Sequence, residues 1–204
     1  MTRKERGRKS ELHIESPLAH RNAPEGLSID LREIKDRGMI DLRGSASDKK
    51  FTAAAKKVLG LELPKTPRTS VSWGDVKALW LSVDQWLILC PGAKAAELAA
   101  TLTTELSSIH SLAVDVSDMR AVIRLEGEGV REVLLKGSSL DLLGDDYKPG
   151  AVRRMRYAEI AALLHVVEDN VFDIYVFRSY ADYVWDFLLA TAREPAKVKL
   201  FGKQ

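Results

Sequence analysis

The residues best suited to chemistry lie near the middle of the chain and just before its last predicted helix. Asp118 and Arg120 stand two positions apart, and Arg178 opens the segment Arg178-Ser179-Tyr180. A carboxylate beside guanidinium groups can bind a polar ligand or an anion, but the same residues also form turn caps and surface ion pairs. The sequence therefore supports two hypotheses here, a ligand or partner contact and ordinary capping.

Familiar catalytic patterns fail on inspection. Gly127 and Gly129 begin a glycine-rich turn, but Glu132 occupies the third glycine position of a dinucleotide fingerprint. The chain contains no Walker loop, no HExxH and no nucleophile elbow. Its single cysteine, Cys90, excludes an internal disulfide and a multi-cysteine zinc site, and its setting is typical of a core thiol. The four histidines are scattered, and His165 sits in an apolar strand like a core residue. We predict no catalytic residue and no metal site.

Aromatic residues form the other candidate surface. Trp80 and Trp86 flank a short turn, and the last helix carries Tyr180, Tyr183 and Phe187 beside its core stripe. Aromatic clusters are usually core, but they also anchor interfaces. A helix apolar around most of its circumference is covered on more than one side. We predict these five residues as partner-interface candidates, with the other half of the chain as the alternative cover.

The elements that position these residues follow from hydrophobic periodicity. Apolar runs between turn signals predict strands at about 39–42, 71–73, 78–81, 86–89, 112–116, 121–125, 151–156, 160–167 and 171–177. Helical spacing predicts helices at about 51–59, 95–106, 129–136 and 180–192. We expect Ser47 or Asp48 to cap the first helix and Gly60 to end it, and Ser179 to cap the last, with Asp182 as the reciprocal acid.

This order of elements occurs twice, which indicates an internal duplication. Gly44 aligns with Gly127, and residues 87–89 align roughly with 172–174. We predict an α+β fold of two β-α-β-β-(β)-α halves with antiparallel sheets, at about 38–117 and 118–193, sharing one domain over 37–193. A flexible basic tail is expected over 1–36 and a C-terminal tail over 194–204.

Composition narrows the classes of partner. The chain has 204 residues, is 46% hydrophobic and carries a net charge of +2, which suits one domain and provides no strong field for nucleic acid or anionic lipid. No apolar stretch reaches the roughly 18 residues of a membrane span, and the basic N-terminus lacks the apolar core of a secretory signal. We predict a cytoplasmic protein that contacts neither nucleic acid nor membrane.

Three separated blocks resemble the gamma subunit of heterotetrameric sarcosine oxidase. They are ALWLSVDQWLIL (78–89), VDVSDMRAVIRLEGEGVREVLLKGSSLDL (114–142) and FDIYVFRSYADYVWDFL (172–188). The resemblance runs from about Met39 to Ala192, leaves the N-terminal tail outside and is loose over 147–165. That subunit is related to the folate-binding domain of the aminomethyltransferase (T-protein) family, so the resemblance implies the same internally duplicated fold.

The resemblance also implies a function. Such an oxidase converts sarcosine, O2 and tetrahydrofolate into glycine, H2O2 and methylenetetrahydrofolate. Its alpha and beta chains hold FAD, covalent FMN and NAD, its delta chain holds zinc, and its gamma chain has no assigned cofactor. The first hypothesis is a non-catalytic gamma subunit that docks on the folate-handling part of the alpha subunit, in a complex that also contains the beta and delta chains. The alternative is a stand-alone folate-binding module, with Asp118 against the pterin and Arg120 or Arg178 against the glutamate tail.

Overall fold

The computed structural model describes residues 15–196 and contains, within that range, ten strands and four α-helices. The strands are β1 (Asp30–Glu33), β2 (Arg37–Arg43), β3 (Ser70–Trp73), β4 (Val76–Ser82), β5 (Gln85–Pro91), β6 (Leu112–Asp115), β7 (Arg120–Glu126), β8 (Val152–Tyr157), β9 (Ile160–Glu168) and β10 (Val171–Phe177). The helices are α1 (Lys49–Leu59), α2 (Ala95–Glu105), α3 (Val130–Leu135) and α4 (Ala181–Ala192). Every predicted strand and helix is present, with bounds shifted by at most two residues.

The strands form two antiparallel sheets with the same internal order. One sheet runs β3-β4-β5-β2-β6 and the other β8-β9-β10-β7-β1. One edge strand of each sheet is exchanged: β1 leads directly into β2 of the first sheet but pairs with β7 of the second. In the same way β6 leads into β7 but pairs with β2. We call residues 37–105 the first half and 120–192 the second half; the predicted duplication is confirmed.

Strand register fixes which residues are equivalent. Ile40 pairs with Ile88 in the first sheet, and Ile123 pairs with Ile174 in the second. With Gly44 matched to Gly127, Ile88 is equivalent to Ile174, so 87–89 matches 173–175. The sequence alignment with 172–174 was therefore wrong by one residue, because an apolar run without a turn inside it cannot fix its own register.

The sheets stack face to face, and the helices cover their outer faces. Strand alternation sends one set of side chains to the helices and the other to the opposing sheet. Phe51 of α1 meets Trp86 with ring centroids 5.8 Å apart in the first helix-facing core. Trp185 of α4 lies in the second. Leu87 and Tyr175 belong to a third cluster between the sheets. The chain is thus layered helix, sheet, sheet, helix.

Residues 15–36 are not a tail. Leu18 is buried in the second core, β1 is a strand of the second sheet, and Arg21 forms ion pairs with Asp182 and Asp186 of α4. The partner strand of β1 lies far along the chain, so local periodicity gave no signal for it. Residues 1–14 of the predicted basic tail and most of the C-terminal tail, 197–204, lie outside the described residues, while Glu194–Ala196 forms a short 3-10 helix.

Two of the three predicted helix signals are confirmed. The Asp48 carboxylate accepts from the Lys50 amide at 2.7 Å, and Gly60 ends α1 with φ 72°. Ser179 does not cap α4, because Arg178–Tyr180 forms a 3-10 turn and Tyr180 takes the cap position without a side-chain bond. Among residues 15–196, no helix is long and apolar enough to cross a bilayer.

Candidate functional site

A cleft of about 640 Å³ opens between the two halves, where the exchanged strands cross. The turns β1–β2 and β6–β7 form its sides, and the 3-10 turns that precede α2 and α4 face it from equivalent positions. The Gly92 amide donates to the Asp36 carbonyl at 2.7 Å, and the Arg178 amide donates to the Met119 carbonyl at 3.0 Å. The same backbone bond therefore closes both ends of the cleft.

The structure brings Asp118, Arg120 and Arg178 together on the wall of this cleft. The Arg178 guanidinium donates to the carbonyls of Asp118 and Glu15, each at 3.3 Å. Arg120 lies over the ring of Phe177 at 5.4 Å, and burial lowers its pKa. Asp118 remains exposed. The cleft thus offers two guanidinium groups and a carboxylate to one ligand or one partner segment.

Two further residues of the cleft, Glu33 and Arg37, were not predicted from the sequence. Glu33 accepts a hydrogen bond from the Ser16 hydroxyl through Oε1, whereas its Oε2 is buried without a partner. Arg37 lines the cleft and is equivalent to Arg120. Both stand at the edge of the predicted tail, and neither has a motif around it. Glu33 reaches the site through the exchanged strand β1, and Arg37 follows directly after the β1–β2 turn.

The 3-10 turn before α2 must begin with glycine in this geometry. A Cβ on Gly92 would lie 2.8 Å from the Asp36 carbonyl oxygen, which is backbone and cannot move aside easily. The equivalent position in the second half is Arg178, whose side chain lines the cleft. One end of the cleft is therefore bare backbone and the other carries a cation.

A buried ion pair lies behind the cleft, between the sheets. Asp173 is fully buried and accepts from Arg124 Nε at 2.7 Å and from a second Arg124 nitrogen at 2.9 Å. Arg37 approaches the same carboxylate at 3.9 Å from the other half. The hydrogen bond to Asp173 raises the pKa of Arg124. Charged residues inside the apolar strands β7 and β10 were the signal for this pair, which sequence reasoning did not use.

A buried histidine is the neighbour of that pair on β9. Burial, followed by the charge of Lys77, lowers the pKa of His165 to about 3. Its Nε2 lies 3.3 Å from the Ser70 hydroxyl of the first half, and its Nδ1 has no partner. Burial also lowers the pKa of Lys77. His165 is therefore neutral and packed between the sheets, as its apolar setting predicted.

Two features of the described residues bear on their chemistry, the state of the thiol and the placement of metal-binding side chains. Cys90 is buried and burial raises its pKa, so the thiol is not activated as a nucleophile. Across residues 15–196 no group of three His, Cys, Asp or Glu side chains is placed to hold a metal ion. What the cleft presents is hydrogen-bonding and charged groups around an apolar floor that includes Met39 and Val122.

The aromatic candidates divide between surface and core. Tyr180 and Tyr183 are 46% and 42% exposed. Phe187 is half-buried and packs edge-on against Tyr157 at 5.5 Å. Trp80 is also half-buried, and Trp86 is fully buried with its indole donating to the Pro64 carbonyl at 2.8 Å. Trp86 is thus a core residue that no partner can reach in this fold, which corrects its place among the interface candidates.

This arrangement of two sheets with exchanged edge strands defines a class of fold shared with solved proteins. The chain is similar to the glycine cleavage system aminomethyltransferase T from Bartonella henselae. The superposition covers 80% of this chain and 46% of that one, with a TM-score of 0.61 and 13% identity. A chain of the heterotetrameric sarcosine oxidase from Corynebacterium sp. U-96 matches more closely. It superimposes over 92% of this chain and 98% of that one, with a TM-score of 0.81 and 22% identity. The predicted aminomethyltransferase-like fold is confirmed.

The sequence places the chain more narrowly. The profile described as "Sarcosine oxidase, gamma subunit family" matches residues 43–194, about three quarters of the chain. The comparison of the chain with curated proteins found no match. The chain belongs to the sarcosine oxidase gamma subunit family, as the three sequence blocks indicated.

Proposed function

We propose that this chain is the non-catalytic gamma subunit of a heterotetrameric sarcosine oxidase and supports its assembly. The observation that carries the proposal is family membership over residues 43–194, together with a fold that covers 98% of one chain of such an oxidase. The cleft adds support, because its charged and hydrogen-bonding side chains are suited to contact with a ligand or a partner chain. The complex would oxidise sarcosine with O2 and pass the one-carbon unit to tetrahydrofolate, giving glycine, H2O2 and methylenetetrahydrofolate.

The division of labour in the complex is part of the proposal. FAD, FMN and NAD would belong to the alpha and beta subunits and zinc to the delta subunit, with all four chains in the cytoplasm.

The proposed contact with the alpha subunit includes the outer face of α4. Tyr180 and Tyr183 stand one helical turn apart and are both exposed, as is Phe177 at the end of β10. Neighbouring exposed aromatic side chains are typical interface anchors. Phe187 lies on the same helix but supports the fold through Tyr157, so it is a poor site for an interface test.

The test is purification of the oxidase through a tag on this chain in its own cells. Wild-type chain should bring down three companion chains, a flavin absorption spectrum and sarcosine-dependent peroxide. A Tyr180→Lys/Tyr183→Lys variant should lose most of the flavoprotein, whereas Leu143→Lys, which changes an equally exposed apolar residue elsewhere, should not. Recovery of a colourless single chain from the wild type would refute the subunit role.

A second candidate function, binding of a folate, is favoured by one observation. The Glu33 Oε2 atom is buried in the cleft wall without a partner, next to the surface that gathers Arg120 and Arg178. A pterin ring donates hydrogen bonds to carboxylates, and its glutamate tail binds guanidinium groups, so the residues present fit both ends of such a ligand. Titration calorimetry of the full chain with tetrahydrofolate tests this, with Arg178→Ala as the variant and Arg156→Ala, outside the cleft, as the control. Binding weaker than about millimolar would count against it.

A further inference from the structure

The two halves of this chain cover the same edge of their sheets differently. Register makes β3 equivalent to β8, with Val71 matching Arg153 and Trp73 matching Met155. These four side chains lie on the faces of the sheets that bear the helices. Val71 is 39% and Trp73 70% exposed, whereas Arg153 and Met155 are partly shielded. The apolar residues are therefore on the open edge.

The cover of the second half is a segment of the chain itself. Residues 138–147, SSLDLLGDDY, belong to a connection between α3 and β8 that is longer than its counterpart, 60–69. Leu142 is fully buried and Tyr147 nearly so. Arg131 of α3 holds the segment by donating to the carbonyls of Leu142 and Tyr147, the latter at 2.9 Å. The Ser138 hydroxyl lies 3.8 Å from the Met155 sulfur. This segment combines leucines with three aspartates over an arginine-bearing edge.

The first half has the space for such a cover but not the segment. A groove of about 680 Å³ runs between α1 and the loop after it, and Val71 closes one side. Its apolar wall includes Ala53, Leu63 and Pro64. Trp73 stands beyond it, over Gly60 at the end of α1, with Cδ1 3.2 Å from where a Cβ on Gly60 would lie.

The charge of the groove indicates the charge of the segment that it can bind. Lys56, Lys65 and Glu62 are its charged residues, so it has an excess of positive charge, and helix α1 carries four lysines and no acid. Lys56 is paired with Glu62 at 2.7 Å, which leaves Lys65 as the excess cation of the groove. The terminal segments 1–14 and 197–204 both contain more Lys and Arg than Asp and Glu, so their charge has the wrong sign for this groove.

We infer that the groove between α1 and β3 binds an apolar, acidic segment of a companion oxidase subunit, which takes the place that residues 138–147 take in the second half. Trp73 and Val71 are its apolar anchors, and Lys65 meets its carboxylate. The inference rests on the proposed subunit role. It names a second contact surface, on the opposite half from the face of α4.

The first test uses the assembled oxidase and the full free chain without any substitution. Hydroxyl-radical footprinting, read by mass spectrometry, reports the accessibility of Trp73 directly. Oxidation of Trp73 should be largely lost in the assembly, while Val83, which is 76% exposed at a β-turn, stays reactive. Equal reactivity of Trp73 in both states would overturn the inference. Protection that grows with the concentration of the free chain would show a second copy in the groove and would overturn it too.

The second test uses variants of the tagged chain. Val71→Lys/Trp73→Lys should lower recovery of the flavoprotein at least about tenfold, as loss of a hot spot does, while Val83→Lys matches the wild type. Lys65→Glu should lower recovery more than Lys50→Glu, which changes an exposed lysine of α1 outside the groove; equal effects would refute an acidic partner segment.

Circular dichroism checks that each variant folds. Full recovery with the paired variant overturns the inference alone, whereas a wild-type chain that recovers no flavoprotein overturns the subunit role and the inference with it.

Discussion

Replacing Asp173 by leucine should strongly destabilise this chain, although leucine is what the first half has at the equivalent position, Leu87. The substitution removes the only fully buried carboxylate in the described part of the chain. Arg124 then loses both of its hydrogen bonds, at 2.7 and 2.9 Å, while its guanidinium stays between the sheets. Because Leu87 is accommodated in the first sheet, the shape of leucine suits the strand. The loss of stability therefore arises from the Arg124 charge, which is left without its partner.

The structure sets the size of the effect. Breaking a buried ion pair by removing one partner costs about 3–5 kcal/mol. The Arg124 side chain is 20% exposed and keeps some water, so we expect the lower end, about 3 kcal/mol, for Asp173→Leu. Arg124→Leu should cost a similar amount because it leaves the carboxylate buried. With both replaced, no charge of this pair remains, and the loss should fall short of the sum by about 2 kcal/mol.

Urea unfolding of the four proteins, followed by far-ultraviolet circular dichroism, measures this coupling energy. The control is the same cycle on Arg43 and Asp84, an Arg–Asp pair 3.1 Å apart that is about half exposed on both sides. Its coupling should be much weaker than that of the buried pair, because solvent screens both charges. If the losses for Asp173 and Arg124 simply add, or if the exposed pair couples as strongly, burial does not govern the strength of this ion pair and our reasoning fails.

Three further perturbations test the local structure, each by urea unfolding of the full chain. The His165 imidazole has a pKa of about 3 in the fold against 6.5 unfolded, so the unfolded chain binds the extra proton; the free energy of unfolding should fall as pH drops from 6.5 towards 3, by up to about 1.4 kcal/mol per pH unit. His165→Leu, which installs the residue of the equivalent Leu79, should flatten that decline, and an unchanged slope would contradict the assignment. Asp48→Ala should cost about 1 kcal/mol through loss of the α1 cap, and no loss would mean that water replaces the carboxylate. Gly92→Ala should cost about 1–3 kcal/mol, because the added methyl meets the Asp36 carbonyl; a neutral result would show that the turn can shift.

The elements were predictable because their signals are local. The Asp48 cap, the Gly60 stop and the alternating strands β8, β9 and β10 are each written within a few residues. β1 was missed for the opposite reason. Its sequence, DLRE, is short and polar, and only pairing with β7 makes it a strand. The predicted Ser179 cap was wrong because the 3-10 turn Arg178–Tyr180 moves the cap position of α4 one residue along, to Tyr180.

The candidate site was predictable in part. Asp118, Arg120 and Arg178 were chosen by residue type, and the duplicated fold brings them to one cleft. Glu33 reaches the same cleft through the exchanged strand β1 and Arg37 through the start of β2, and no local pattern encodes the pairing of β1 with β7. Burial was equally invisible: Trp73 and Trp86 are alike in sequence, yet one is 70% exposed and the other has no exposed surface. Trp86 packs under helix α1 against Phe51, whereas Trp73 lies at the end of α1, where the helix no longer covers it.

The exchange of edge strands also bears on how such a chain could arise. A single half, with its leading strand, would have one sheet edge without a partner strand and one strand without a sheet. Two copies of that unit satisfy both needs at once, in the manner of a domain-swapped homodimer with twofold symmetry. Gene duplication and fusion of such a dimer would give the arrangement seen here. The two copies could then diverge, one keeping a segment that seals its own sheet edge and the other leaving that edge open to a different chain.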